Sequence, residues 1–187
     1  MKKYNVAILG CRGAVGQCMY QILKERKFPI NELKLLSSSM REGETGGIDG
    51  ISYQKVNEHS FKGVDIGLFS PGAAVSKEWA PIAVKDGCIV IDNTSQFRMD
   101  RDVPLVVPEV NPEDIQNQKG IIANPNCSTI QMVVALKPLH DYAKIKRIVV
   151  STYQSVSGAG QAAIDELEKQ SADRSLPPNA FPYPIAF

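Results

Sequence analysis

The sequence predicts an α/β fold, a doubly wound and mostly parallel sheet with helices on its faces. Three observations carry that prediction. Short apolar runs at residues 4–9, 64–69 and 88–92, and a further one beginning at 121, have the length and composition of buried parallel strands. Helix-like stretches fall between several of these runs, and that alternation is the pattern of a parallel sheet. Residues suited to ligand chemistry stand at or just past the run ends: Gly10, Ser70, Asn93 and Cys127. In such sheets ligands sit at the carboxyl ends of the strands.

The first strand, 4–9, runs into Gly10-Cys11-Arg12-Gly13-Ala14-Val15-Gly16 and then a helix over 17–26. Strand, glycine turn and helix are the context of a Rossmann-like dinucleotide fingerprint, here spaced GxxGxxG. Gly10 permits the tight turn, Gly13 lets the backbone approach a pyrophosphate, and Gly16 lets the helix pack close to the strand. A tight strand–helix turn with no ligand is the alternative. A second strand at 33–36 ends at Ser37-Ser38-Ser39-Met40-Arg41. Serines and an arginine are donors, suited to a 2′-phosphate and so to NADP, whereas NAD sites usually place an Asp or Glu about 20 residues past the glycines. Glu42 and Glu44 come too late in the chain to be assigned that part. Residues 42–62 read as loop with weak strands.

The strand at 64–69 ends at Ser70-Pro71-Gly72, a helix covers 74–85, and the next strand covers 88–92. The polar segment 93–102 carries Arg98, whose guanidinium fork suits phosphate or carboxylate, although most arginines simply face solvent. Residues 105–111 read as a strand leading to a connector, and 113–118 as a short helix. After Cys127 comes a mostly apolar helix whose extent Pro138 limits. Residues 147–153 read as a strong strand, 154–160 as a second small-residue turn, and 161–171 as an amphipathic helix. From Asp173 the chain is irregular, and Ile185-Ala186-Phe187 reads as a strand beginning.

Composition excludes several classes. With 187 residues, 43% hydrophobic and 22% charged, the chain can bury a real core as one or two domains. A net charge of +1 supplies no field for nucleic acid or an anionic membrane. No run of eighteen apolar residues is present, and Met1-Lys2-Lys3-Tyr4 leads straight into a strand without a signal-peptide core. The expectation is a cytoplasmic protein. The four cysteines lack CxxC spacing and the two histidines lack metal-ligand spacing, so free thiols are expected and no metal site.

Cys127 stands where a short strand breaks at Pro125 and a helix begins. Unpaired N–H groups at a helix start favour a thiolate, and can hold the oxyanion formed when a thiolate attacks a carbonyl. The plain alternative is a small buried hydrophobe.

Four segments together resemble the N-terminal half of the bacterial aspartate-semialdehyde dehydrogenase family, over essentially the whole chain. They are Ile121-Ile122-Ala123-Asn124-Pro125-Asn126-Cys127-Ser128-Thr129, Phe97-Arg98-Met99-Asp100, Val106-Val107-Pro108-Glu109-Val110-Asn111 and Ser151-Thr152-Tyr153-Gln154-Ser155-Val156-Ser157-Gly158. The resemblance implies NADPH-dependent reductive dephosphorylation of aspartyl-4-phosphate to aspartate semialdehyde, feeding lysine, threonine, methionine and diaminopimelate synthesis. It implies that Cys127 carries the acyl group as a thioester and that Gln154 orients the substrate. Arg98 and Asn126 would hold the substrate phosphate. NADP would meet the turn Gly10, Arg12, Gly13, Ala14, Val15 and Gly16, then Ser38, Met40, Arg41 and Ser70, and finally Ser157 and Gly158. An NADP-binding domain over 1–127 and the start of an α+β catalytic and dimerisation domain over 128–187 follow from the resemblance, as does a homodimer of the complete enzyme. The chain departs from the family at Arg12, where threonine is common, and at Pro71, Ala73 and Ala74. Its cofactor segment 37–43 aligns only approximately. The family's acid/base histidine lies beyond Phe187 and His140 is no substitute, so the polypeptide alone is expected to be inactive or nearly so, while still binding nucleotide weakly. N-acetyl-glutamyl-phosphate reductase, with the same chemistry on a longer substrate, and a nucleotide-binding module without catalysis are the alternative readings.

Overall fold

The computed structural model describes residues 2–41 and 43–186. The chain divides into two compact units, one through Lys146 and one from Arg147 onward. The first is built on a seven-stranded sheet. Its strands are β1 (Tyr4–Leu9), β2 (Ile30–Ser37), β3 (Gly47–Ile48), β4 (Ile51–Lys55), β5 (Ile66–Phe69), β6 (Ile89–Asp92) and β7 (Ile121–Ala123), in the spatial order β3-β4-β2-β1-β5-β6-β7. All neighbours pair parallel except β3 with β4. The helices of this unit are α1 (Ala14–Glu25), α2 (Ala73–Lys85) and α3 (Cys127–Ala143).

Alternation along β1 and β2 explains why both faces need covering. Ala7 and Leu9 join Leu36, Phe69, Val90 and the α2 residues Ala80 and Ala83 in one core. Ile8 and Leu35 join Cys11 and the α1 residue Tyr20 in the other. Successive side chains of a strand point to opposite faces, so two cores on one sheet are the doubly wound arrangement. The order reverses at β1, from which the chain builds β2 on one side and β5 on the other. That is the switch point at which such sheets open a crevice.

The structure alters several expectations. Helix α1 begins at Ala14, three residues before the predicted start at 17, because the turn itself winds into the helix with Gln17 N–H donating to the Gly13 carbonyl. Residues 105–111 are not a strand. They make one parallel bridge, Leu105 to Ala123, and then turn. Pro108 has no N–H to give a ladder. The Asn111 side chain takes the Val107 N–H and donates to the Leu105 carbonyl, closing the segment into a loop. The predicted helix at 113–118 is a 3₁₀ helix, Pro112–Asn117. Pro138 does not end α3, which continues to Ala143 with the Lys137–Asp141 ion pair, 2.6 Å, spanning the proline.

In the second unit, a 3₁₀ turn (Val156–Ala159) leads to α4 (Gln161–Ala172). The strong strand expected at 147–153 does not form. A strand exists only as a paired ladder, and no ladder partner is present among the described residues, so Ile148, Val149, Val150 and Tyr153 stay exposed. Ile185 and Ala186 are likewise not in a strand, and Phe187 lies outside the described residues. What orders the irregular tail is a pair of side chains on α4. Glu166 Oε2 accepts the N–H groups of Asn179, at 3.1 Å, and Ala180. Gln170 Oε1 accepts those of Ile185, at 2.7 Å, and Ala186, at 3.2 Å. Both side chains are buried, and Gln170 Nε2 donates to Glu166 Oε1.

Candidate active site at the carboxyl edge of the sheet

The registers put four strand ends in one row. Leu9 pairs with Phe69, Phe69 with Asp92, and Asp92 with Ala123. The next residue on each strand is therefore Gly10, Ser70, Asn93 or Asn124, side by side along one edge, with neighbours about 4.8 Å apart. Cys127 is three residues beyond Asn124, at the first position of α3. The convergence expected from sequence is present for Gly10, Ser70, Asn93 and Cys127.

The glycine turn divides its labour among three residues. Gly10 has φ +91°, and a Cβ there would lie 2.8 Å from the main chain of Ser70, so only glycine fits at the switch point. At Gly16 a Cβ would stand 2.3 Å from the Gly10 carbonyl oxygen, which makes glycine the condition for α1 to lie against the turn. Gly13 is different. Its φ is −76°, and a Cβ would meet only the Gly10 carbonyl at an ordinary 3.5 Å. The packing does not require glycine at that position, which leaves the space beside the turn open. Next to Gly10, where a Cβ would touch the Ser70 main chain, the Ser70 hydroxyl is buried with no hydrogen-bond partner among the described residues. An open glycine cradle and an unpaired buried hydroxyl at the switch point fit a dinucleotide. Ala14 and Val15 form the exposed first turn of α1.

At the end of β2, Ser38 and Arg41 are exposed, whereas the Met40 side chain is buried. Any cofactor contact from Met40 falls to its backbone. Arg12, Ser39, Arg41 and Glu44 line a cleft of about 430 Å³. Glu44, left unassigned on sequence grounds, pairs with Arg12 at 2.6 Å.

The loops after β6 and β7 hold each other. Arg98 donates Nε–H to the Asn124 carbonyl at 2.9 Å and Nη2–H to the Asn93 carbonyl at 3.0 Å. Asn124 Nδ2 donates to Asn93 Oδ1 at 2.6 Å. Beneath them Asp92 is buried and accepts from Ser76 Oγ, Thr94 N–H and Thr94 Oγ1. This network was missed in the sequence, although Asp-Asn-Thr after an apolar run is an Asx-turn signal. Arg98 therefore braces the loop that leads to Cys127, and a phosphate there would meet its remaining guanidinium N–H groups.

Asn126 caps α3. Its Oδ1 accepts the N–H groups of Ser128, at 3.0 Å, and Thr129, at 3.4 Å. This corrects the expectation that those N–H groups are unpaired and point at the sulfur or an oxyanion. The direct donors at 128 and 129 are taken. A phosphate contact from Asn126 falls to its amide nitrogen, the side chain's only donor.

Cys127 is exposed, as is Cys18. Cys11 and Cys88 are buried, and burial pushes their thiols up to about 11 and about 12, with Asp65 and Asp86 adding to the effect at Cys88. The plain alternative for Cys127, a buried hydrophobe, is thereby excluded. His140 lies in the last turn of α3, about 20 Å along the helix from Cys127. No cluster that could hold a metal is present among the described residues, and no helix there is long and apolar enough to cross a membrane.

Gln154, Ser157 and Gly158 belong to the second unit and are exposed. Gln154 Nε2 donates to Thr152 Oγ1 at 3.3 Å, and the Ser155 and Ser157 hydroxyls are 3.0 Å apart.

Comparison with known proteins bears on this edge. The family model for the semialdehyde dehydrogenase NAD binding domain matches residues 5–118, and that for the semialdehyde dehydrogenase dimerisation domain matches 136–187. The chain is 56% identical over 194 aligned residues to an aspartate-semialdehyde dehydrogenase of Aquifex aeolicus, covering 98% of this chain and 57% of that protein. It is 57% identical over 175 residues to aspartate-semialdehyde dehydrogenase 2 of Vibrio cholerae, covering 91% of this chain and 52% of that one. The chain thus spans little more than half the length of these relatives. A crystal structure of aspartate semialdehyde dehydrogenase II from Vibrio cholerae complexed with ASA superposes at TM-score 0.90 with 52% identity, covering 100% of this chain and 58% of that one. An aspartate semialdehyde dehydrogenase with NADP from Candida albicans superposes at TM-score 0.60 with 27% identity, covering 76% of this chain and 48% of that one.

Proposed function

The chain belongs to the semialdehyde dehydrogenase family, and from that premise we propose that it supplies the cofactor site and the nucleophile for reducing aspartyl-4-phosphate to aspartate semialdehyde with NADPH. That step stands on the route to lysine, threonine, methionine and diaminopimelate. The observation that carries the reading is Cys127: exposed, at the first position of α3, three residues past Asn124 on the edge row that begins with Gly10. The names of the Aquifex and Vibrio relatives, at 56% and 57% identity, support the substrate.

The chemistry follows from the residues. The Cys127 thiolate attacks the acyl carbon, the C–S bond forms, and the carbon–oxygen bond to phosphate breaks with its electron pair leaving on phosphate. One hard step becomes two. Bound NADPH supplies the hydride that reduces the resulting thioester. Arg98 and Asn126 hold the departing phosphate, and Gln154 orients the acyl group. Arg98 has a second part, since its bonds to Asn93 and Asn124 fix the loop that presents Cys127. Gly10, Arg12, Gly13, Ala14, Val15, Gly16, Ser38, Met40, Arg41 and Ser70 would hold the adenosine and pyrophosphate of the cofactor, and the resemblance adds Ser157 and Gly158 as contacts. The functional division falls at Cys127: 1–127 for cofactor and nucleophile, 128–187 for the start of the catalytic and dimerisation domain. The complete enzyme is a cytoplasmic homodimer.

Exposure of the whole chain to aspartyl-4-phosphate without cofactor, followed by intact mass, tests the reading. One aspartyl group should add, map to Cys127, be released by hydroxylamine, and be absent from Cys127→Ser. Addition at Cys18, or equal addition to the Ser variant, contradicts it.

A further inference from the structure

The loop after β2 folds back over the glycine turn and brings a carboxylate into a cleft otherwise built of donors. Glu44 Oε1 lies 2.6 Å from Arg12 Nη2, and Glu44 Oε2 accepts the Arg41 N–H at 2.9 Å. The Glu44 N–H in turn donates to the Arg41 carbonyl at 3.2 Å, closing the turn that holds the side chain there. The side chains of Arg12 and Glu44 are 38% and 31% exposed, so an arriving ligand can reach and separate them.

Guanidinium and main-chain N–H groups are what a phosphate monoester binds. Here Arg12 Nη2 and the Arg41 main-chain N–H already serve the two oxygens of the same carboxylate. The Arg41 amide and then the Arg12 guanidinium hold the Glu44 carboxyl below its ordinary value, so it is an anion at neutral pH. A 2′-phosphate entering this cleft must take Arg12 from Glu44 and then sit beside a like charge. A bare ribose 2′-hydroxyl meets the opposite situation, because it can donate to the carboxylate.

We propose that Glu44 sets the cofactor preference of this chain, occupying the donors that a 2′-phosphate needs and offering an acceptor to the 2′-hydroxyl of NAD. The inference rests on the reading that the glycine turn binds a dinucleotide. Its consequence is dual use: NADP remains a ligand through Arg12, Ser39 and Arg41, but its advantage over NAD is held down by Glu44.

The test is calorimetric binding of adenosine 2′,5′-bisphosphate and of 5′-AMP to the full chain, which differ only in the 2′-phosphate. Glu44→Gln keeps the shape and removes the charge, and Glu44→Ala removes the acceptor as well. Both should raise the affinity ratio of bisphosphate over AMP by about fivefold, the scale of one exposed ion pair, mainly by tightening the bisphosphate. Arg12→Gln should lower the ratio and abolish the gain when combined with Glu44→Gln. If both ligands bind and neither Glu44 variant moves the ratio beyond about twofold, Glu44 is not the selector. If neither ligand binds any form, the nucleotide reading fails and this inference with it.

Discussion

Arg98 donates its Nε–H to the main-chain carbonyl of Asn124 at 2.9 Å, three residues before Cys127. With its second bond, to the Asn93 carbonyl, one guanidinium ties together the loops that leave β6 and β7. The segment leading to Cys127 is therefore held in part from outside its own loop. Lysine has one point charge and no fork, and cannot reach both carbonyls in that geometry. Arg98→Lys should cost about 1.5–3 kcal/mol of stability, the scale of hydrogen bonds to a charged group. It should also slow alkylation of Cys127 in the absence of any substrate. A residue that only binds phosphate would leave that rate unchanged.

The three glycines of the turn separate fold from binding. Gly16→Ala places a Cβ 2.3 Å from the Gly10 carbonyl oxygen and should cost about 1–3 kcal/mol, read as a fall of several degrees in Tm. Gly13→Ala has ordinary φ and ordinary contacts, so Tm should hold within about two degrees while affinity for NADP falls at least about tenfold. Equal Tm losses at both positions would assign Gly13 to packing.

The two buried thiols make the fold sensitive to alkali. Burial raises Cys11 to about 11 and Cys88 to about 12, from 9.0 when unfolded. Between those limits the unfolded chain has released protons that the folded chain keeps. The stabilisation is complete below 9.0 and is lost as pH climbs toward the folded values. The urea midpoint should fall from about pH 8.5 to about pH 10.5, and Cys88→Ala should flatten that slope.

Glu166 holds the irregular tail by accepting two backbone N–H groups, from Asn179 and Ala180. Glu166→Ala removes the one oxygen that accepts both. Hydrogen exchange at those two amides should accelerate at least about tenfold, while amides of β1 and β5 are unchanged. No change at 179 and 180 would mean that other contacts order the tail.

Much of this was legible in the chain. β1 was read at its observed limits because an apolar run stops at a glycine with positive φ, and β5, β6 and α2 were read within two residues of their observed limits for similar reasons. The gathering of Gly10, Ser70 and Asn93 on one edge, with Cys127 just past the end of β7, followed from strand ends alone. Long-range pairing was not legible. The apolar run at 147–153 has the composition of a strand, but composition does not say whether a ladder partner exists. Glu44 enters the cleft beside Arg12 only because the loop after β2 turns back, and Asn126 takes the helix-start N–H groups through a side chain. Glu166 and Gln170 read as the polar side of an amphipathic helix, yet they are buried against the tail's backbone.

The account depends on Cys127 being a primed nucleophile, and the chain contains its own reference. Cys127 and Cys18 are both exposed thiols, one at the start of α3 and one within α1. The most direct measurement is the rate of carboxamidomethylation at each of the two sites by limiting iodoacetamide at neutral pH, read by peptide mass in the same sample. Cys127 should react at least about tenfold faster than Cys18, as helix-start thiolates do. Equal rates, or a faster Cys18, would contradict the account.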